Sequence, residues 1–257
     1  GADAQYISDR CGRHALTLAM WGAVAKKMAS KKNRTDGGKL WARVRERFDK
    51  HIKKGKSIGT PARPGGKPIP HGYEQYRGFD DACQATLSFL CEESDDTTLE
   101  EKYIMLAICP NGMWISTLVL EELWGDDWEL VGEFEELHLL ERNYDGDVKL
   151  HDLQLDFATV RARACGADKV HEWHGLAAKA CFAAMDARED KSEHCQLRGF
   201  WHMCRAGPTW LKKLSDDGLR INVRNSIGFN LLDYAAYYQH GDMVDAFLSN
   251  SRAHYMA

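Results

Sequence analysis

The sequence predicts a mainly α-helical protein of 257 residues. Apolar residues recur every three to four positions through most of the chain, which is the spacing of one face of a helix. Only two short segments, 138–141 and 148–150, have the character of β-strands, and the Asp145-Gly146 pair between them is a strong hairpin signal. We therefore expect helices throughout and one small β-hairpin.

Residues 1–56 are predicted to form a helical subdomain, and 57–78 to form a linker or an ordered surface loop, because glycine and proline are frequent there. Helical patterns run through 4–11 and 15–29. A third helix is amphipathic and has a basic outer face. Its apolar stripe consists of Leu40, Trp41, Val44, Phe48 and Ile52.

Residues 79–163 are predicted to form a winged-helix domain, because three helices followed by a β-hairpin is the pattern of that fold. Ser116 is the expected N-cap of the middle helix, and Thr98 with Glu101 forms the expected capping box of the helix before it. After the hairpin, a further helix begins near Asp152. The earlier helices of this region are expected at 80–91, 99–108, 116–124 and 127–137.

The last third of the chain is predicted to be helical again. Residues 164–191 are expected to connect, through a helical segment at 175–188, to two stacked helical hairpins in 192–257. A lone hairpin leaves its apolar face open, so stacking should bury part of the second hairpin against Trp201 and Leu211 of the first. The residues expected at this contact are Ala235, Ala236, Val244 and Leu248.

The second of these hairpins, with the loop that precedes it, is similar to one ankyrin repeat. The resemblance runs from Ile221 through Gly228 to Leu248. The helices are expected at 230–238 and 242–248, and those of the preceding hairpin at 195–204 and 209–214. An irregular helical domain is the alternative for this region.

Composition is that of a globular protein, with 44% apolar and 28% charged residues. No apolar run approaches the roughly 18–20 residues that a membrane span needs. The eight cysteines include no C-x-x-C pair, and most stand among apolar neighbours. They are therefore expected to be reduced core cysteines rather than disulfides or zinc ligands, and the protein to be cytoplasmic.

Charge is unevenly distributed along the chain. Residues 24–67 are rich in lysine and arginine and hold three acids, whereas 92–147 hold seventeen acids against Lys102 and Arg142. Each segment is either a solvated face or a charged surface that meets the other segment or a partner. The helix expected at 127–137 carries four glutamates and no base, and the hairpin tip is acidic too, so DNA binding by this region is disfavoured.

The junction between the second strand and the following helix holds a His151-Asp152 pair. Helix N-termini offer free backbone N–H groups and a positive dipole end, which suits a phosphate. The alternative is structural: Asp152 is an ordinary N-cap and His151 a boundary residue.

Catalytic motifs are incomplete in this sequence. Gly65-Gly66-Lys67 is the only approach to a phosphate loop, but Pro68 replaces the metal-binding Ser or Thr and Pro61 the first glycine. No nucleophile elbow or zinc motif is present. We therefore expect no enzymatic activity from this chain as it stands, and no bound metal.

Three motifs together resemble the NB-ARC family of nucleotide-switch proteins. Cys11-Gly12-Arg13-His14-Ala15-Leu16-Thr17-Leu18-Ala19 looks like the first motif of its helical subdomain, and residues 106–124 look like part of its winged helix. Leu150-His151-Asp152-Leu153-Gln154-Leu155-Asp156-Phe157 is similar to the signature that closes that winged helix.

The resemblance implies roles for three residues. His151 would contact the β-phosphate of ADP, with Asp152 as its capping and orienting partner, and Ala15 stands where the family has a proline that packs on adenine. ADP or ATP would bind only together with an upstream nucleotide-binding domain, and the isolated chain would bind neither.

What the resemblance implies about function is a regulatory part of an intracellular signalling switch, of the kind used in apoptosis or innate immunity. Its partners would be the upstream domain and proteins that bind the C-terminal repeats, with no membrane and no nucleic acid. The alternative is a nucleotide-free protein-interaction module of winged helix plus ankyrin-like repeats.

Overall fold

The computed structural model describes residues 2–10, 14–30, 37–55, 73–125, 129–187 and 193–256. Within these ranges it contains α-helices, one short 3-10 helix and a single two-stranded sheet, so the mainly α-helical fold class is confirmed. Of the linker or surface loop predicted at 57–78, residues 57–72 lie outside the described residues, as does the Cys11-Gly12-Arg13 motif. Residues 73–78 of that prediction belong to the helix Tyr73–Ser94. No helix in these ranges is both long and apolar enough to cross a membrane.

The helices and strands are numbered in chain order. The helices are α1 (Ala2–Arg10), α2 (Ala15–Ser30), α3 (Gly37–Gly55), α4 (Tyr73–Ser94), α5 (Leu99–Met105), α6 (Thr117–Trp124), α7 (Glu129–Glu136), α8 (Asp152–Cys165), α9 (Ala167–Ala187), α10 (Glu193–Ala206), α11 (Pro208–Asp216), α12 (Leu231–Tyr237) and α13 (Gly241–Met256). The 3-10 helix Leu106–Ile108 continues α5, and the strands are β1 (Glu141–Arg142) and β2 (Val148–Lys149).

Two compact units divide the chain, and each draws on three separate segments. The first consists of Gly1–Ala107, Glu129–Arg142 and Leu150–Ala164, and the second of the remainder. Neither unit coincides with one of the predicted consecutive domains, whose boundaries stay predictions.

The core of the first unit is aromatic. Trp21 of α2 meets Phe48 of α3 edge to face, with ring centroids 4.6 Å apart. Tyr103 of α5 lies edge to face against Phe134 and Phe157, and its hydroxyl donates to the carbonyl of Leu139 at 3.0 Å. That hydrogen bond satisfies the one polar atom of a fully buried ring, so the tyrosine costs little to bury.

The apolar stripe of α3 is confirmed for Val44, Phe48 and Ile52, which are buried, while Trp41 is only half-buried. The basic face of this helix is partly paired rather than wholly solvated. Arg47 binds Glu93 at 2.8 Å, and in α2 Lys27 approaches Glu136 at 3.4 Å. At these pairs the basic and acidic segments of the sequence meet each other.

In the second unit, α9 packs on α6 and α10, and α10 packs on α11 and α12. Close approach of α9 and α10 depends on Gly199, because a Cβ there would lie 2.8 Å from the Cβ of Cys181. Gly175 of α9 makes room for a side chain of α11, because the indole of Trp210 occupies the place that a Cβ at position 175 would take. Phe182 and Phe200 fill the interface of α9 and α10 edge to face.

The two C-terminal hairpins touch, as predicted, since α10 packs on α12 and α11 on α13. The predicted contact residues are only partly correct. Ala235 is buried, but Ala236 is exposed and Leu248 is 42% exposed. The buried stripe of α13 consists of Met243 and Phe247 instead of Val244 and Leu248. The two stripes differ by one residue, which corresponds to a rotation of 100° about the helix axis.

Two local predictions need correction. The Thr98 side chain makes no cap hydrogen bond; instead the carboxylate of Asp96 accepts from both the backbone N–H and the hydroxyl of Thr98 at 2.7 Å. The first strand does not begin at His138, because that residue adopts a left-handed φ of 54° at the end of α7.

Other local predictions are confirmed. Ser116 caps α6 by accepting from the N–H of Leu118, and Asn143 closes the Asp-Gly turn by accepting from the N–H groups of Asp145 and Asp147. Seven cysteines lie in the described ranges as reduced thiols. Four of them are buried as expected, whereas Cys91 and Cys204 are half-buried and Cys165 is exposed.

Candidate functional site

His151 is the N-cap of α8. Its carbonyl accepts the first helical hydrogen bond, from the N–H of Leu155 at 2.9 Å. Its ring Nδ1 accepts from the N–H of Leu153 at 3.3 Å, as the oxygen of a Ser or Asp cap usually does. The structure therefore overturns the expectation that Asp152 is the cap, because the imidazole nitrogen reaches the free backbone N–H first.

Gln154 completes the cap and joins it to the end of α7. Its Oε1 accepts from the N–H of His151 at 3.0 Å, so the two residues form a His-x-x-Gln version of the capping box. Its Nε2 donates to the carbonyl of His138 at 2.7 Å. Gln154 is buried, and both ends of its amide are used.

The end of α7 that Gln154 contacts has Schellman geometry. The N–H of Leu139 donates to the carbonyl of Phe134, and the N–H of His138 donates to that of Glu135. His138 holds the left-handed position that glycine usually takes. Gln154 thus ties a helix C-terminus to a helix N-terminus, and sequence reasoning assigned it no role.

Asp152 is the first residue of α8, and it is exposed. A carboxylate at this place is favourable for the helix dipole. No hydrogen bond in the described part of the chain joins it to the His151 ring, whose Nδ1 is already engaged. The predicted role of Asp152 as an orienting partner is therefore not seen, and its negative charge weakens the attraction of this helix end for an anion.

Ala15 is the first residue of α2, and it is exposed as well. The residue before it, His14, accepts at its carbonyl from the N–H of Leu18 and from the hydroxyl of Thr17. The first position of a helix is where proline is best tolerated, so the backbone at Ala15 would accept a proline. No hydrogen bond among the described residues joins Ala15 to His151.

The cap decides what chemistry the His151 ring offers. Because Nδ1 accepts a hydrogen bond, the neutral ring carries its proton on Nε2, and the residue is exposed. The ring is therefore a hydrogen-bond donor to an external acceptor such as a phosphate oxygen. Among the described residues no carboxylate hydrogen-bonds to this ring.

A cluster of three histidines, which sequence reasoning missed, lies in the second unit. Nδ1 of His174 is 2.9 Å from Nδ1 of His202, and Nε2 of His202 is 3.0 Å from Nε2 of His194. All three rings are buried. We call His174, His202 and His194 the histidine chain. The spacing of 194 and 202 on one helix was a possible signal, but nothing in the sequence aligns them with 174.

Burial changes the acidity of the histidine chain. It lowers the pKa of His174 to about 3 and the pKa of His202 well below its ordinary value, and nearby cations lower both further. His174 and His202 are therefore neutral at pH 7. The two contacts use opposite nitrogens of His202, and no group of three or more His, Cys, Asp or Glu in the described ranges is arranged to hold a metal ion.

Comparison with protein-family models, curated proteins and solved structures gave no match to this chain.

Proposed function

We propose that this protein is the regulatory part of an NB-ARC-like signalling switch, in the cytoplasm, which contributes to ADP binding through His151 together with an upstream nucleotide-binding domain. The observation that carries the proposal is the cap of α8. It fixes the ring so that Nδ1 faces the backbone and Nε2–H is the exposed donor. A phosphate contact by this histidine requires that tautomer.

The order of elements supports a winged helix. Helix α5 is followed by a bridge residue, Ile115, then by α6, α7 and the two strands. Ile115 pairs antiparallel with Val148, with hydrogen bonds of 2.7 and 3.0 Å, and thereby adds a third backbone partner beside the hairpin.

The C-terminal hairpin supports an ankyrin-like repeat. Its loop turns at Gly228, where φ is +85°, and Asn225 closes the turn by accepting from the N–H groups of Ile227 and Phe229. Asn230 then caps α12 in a reciprocal capping box with Asp233. A tight loop followed by two packed helices is the unit that stacks in repeat proteins.

The alternative is a nucleotide-free protein-interaction module. It is favoured by exposed aromatic side chains on the C-terminal hairpin, where Tyr237 is 71% and Tyr238 56% exposed. Tyrosine is enriched in protein interfaces. Under this alternative His151 serves only as a helix cap, and ADP has no effect.

The two functions are separated by substituting His151 in a form that carries the proposed upstream domain. His151→Asn keeps an N-cap acceptor but removes the imidazole Nε2–H, whereas His151→Ala removes both. A hydrogen bond to a charged group contributes about 1.5–3 kcal/mol, so both variants should release ADP roughly ten- to a hundredfold faster than wild type.

Thermal melting of the same variants supplies the control. His151→Ala should melt lower, with a loss of about 1 kcal/mol, while His151→Asn should stay near wild type. Release of ADP from His151→Asn at the wild-type rate would show that the ring does not contact the nucleotide. If the longer form binds no ADP at all, the interaction module is the correct function.

A further inference from the structure

The histidine chain links α9 to α10 inside the second unit. His174 belongs to α9, and His194 and His202 belong to α10. Trp201 lies edge to face against His174 with ring centroids 5.1 Å apart, and Phe182 of α9 lies edge to face against Phe200 of α10. The histidine chain thus places three polar side chains in an otherwise apolar helix interface.

The nitrogen distances limit how many protons the chain holds. A nitrogen–nitrogen contact of 2.9–3.0 Å is a hydrogen bond only if one proton lies between the two atoms. Three neutral rings carry three protons, which fills both contacts and leaves one for an outer nitrogen. One extra proton is still compatible with both contacts, but a second one places N–H against N–H and breaks a hydrogen bond.

The charges acting on the chain oppose even the first extra proton. Arg205 and His171 lower the pKa of His174 by charge repulsion, and Arg198 does the same to the pKa of His202. The arginines are positively charged, and His171 becomes so when it is protonated. No carboxylate is among the groups that shift either ring. A cation formed on His174 or His202 is therefore buried and repelled by these neighbours.

The other helices packed on α9 and α10 bring charges that are already engaged. Glu122 of α6 binds Lys179 of α9 at 2.7 Å. From α11, Lys213 lies over the Trp210 ring, and from α13, Asp242 acts on the thiol of Cys204. From α12, Tyr234 faces Arg198, Arg205 and Cys204, and burial raises its pKa to about 12, so it stays neutral.

We propose that the histidine chain is an acid-sensitive latch, which holds α9 against α10 while its rings are neutral and releases them when protons enter. The inference is independent of the proposed nucleotide function. Release separates the surfaces that carry Phe182, Phe200 and Cys181, all of them buried at neutral pH. Opening of this contact exposes these side chains, and it becomes more frequent as pH falls below about 6.5.

The sign follows from proton linkage. Both rings are harder to protonate in the folded protein than in the unfolded chain, where a histidine has a pKa of about 6.5. Stability is therefore complete above pH 6.5 and falls as pH decreases toward the folded values. Each of the two rings lowers the folding equilibrium constant roughly 25-fold between pH 7 and pH 5, which is roughly 600-fold together.

Hydrogen–deuterium exchange of the full chain at pH 7 and pH 5, corrected for the intrinsic rate, measures this opening. We expect the protection of α9 and α10 amides to fall by several hundredfold. In His202→Gln, an amide supplies one donor and one acceptor but does not titrate, so the fall should shrink to roughly 25-fold. In the matched control His240→Gln, a half-buried position outside α9 and α10, the full fall should remain.

Equal protection of α9 and α10 at both pH values overturns the proposal, as does a fall in His202→Gln as large as in wild type. If His202→Gln does not fold at pH 7, the wild-type histidine resonances decide by nuclear magnetic resonance. The rings of His174 and His202 must still be neutral in the folded protein at pH 5.5. Protonated rings in a folded second unit at that pH would refute the latch.

Discussion

Replacing Gln154 by leucine tests whether the two helix ends at the candidate site depend on one buried amide. Leucine fills the volume of glutamine, so no cavity forms, but it removes both hydrogen bonds. The N–H of His151 and the carbonyl of His138 then lose their partners. Both belong to exposed residues, so water can reach them in part.

The expected cost is about 2 kcal/mol. Each stranded backbone group costs about 1–3 kcal/mol when it is buried, and partial access to water puts both near the lower end of that range. The Gln154→Leu change should also loosen α8 locally, because its first turn loses one side of the capping box.

Urea unfolding of the full chain measures the total, and hydrogen exchange of the first turn of α8 measures the local effect. Gln196→Leu is the matched control. It is the same change on a helix of the second unit, at a half-buried position whose amide oxygen accepts an exposed hydrogen bond from the N–H of Ser226. A Gln154→Leu loss no larger than that of the control would refute the idea that the amide joins α7 to α8.

Three further outcomes are expected from urea unfolding. Phe48→Ala should cost about 3–5 kcal/mol, because the ring is fully buried against Trp21, while Arg45→Ala should cost much less, because its ion pair with Asp3 is partly exposed to solvent. Gly199→Ala should cost about 1–3 kcal/mol by overpacking α9 against α10, whereas Gly132→Ala, a helical position with open space, should stabilise by up to about 1 kcal/mol. The histidine chain should make the second unit about 4 kcal/mol less stable at pH 5 than at pH 7, and a flat profile would contradict the lowered pKa values.

Helix periodicity made most of the fold predictable. The stripe of Val44, Phe48 and Ile52 was placed correctly because burial repeats every 3.6 residues in any helix that covers a core. The face of α13 was placed one residue off, since Met243 and Val244 are both apolar and only the packing against α11 and α12 selects which of them is buried. Periodicity predicts that a helix has a buried face, but tertiary contacts decide which of two neighbouring apolar residues lies on it.

Features that depend on two distant segments were not predictable. The histidine chain needs the register of α9 against α10, which Gly199 and its contact with Cys181 set in three dimensions. The link between Gln154 and His138 needs the left-handed end of α7, and no rule for caps assigns that conformation to a histidine in advance. Sequence neighbours alone define neither.

The assignment of the cap shows how a local rule failed at the candidate site itself. Cap preferences favour aspartate over histidine, so Asp152 was the expected choice. Gln154 reverses the preference, because its Oε1 accepts the N–H of His151 and holds that residue at the cap position. The ring then accepts from Leu153 through Nδ1 and keeps its proton on Nε2. The structural and the functional interpretations of His151 are therefore not exclusive: the bond that stabilises the helix also fixes the donor that a phosphate contact needs, and only a variant that preserves the cap, such as His151→Asn, distinguishes the two roles.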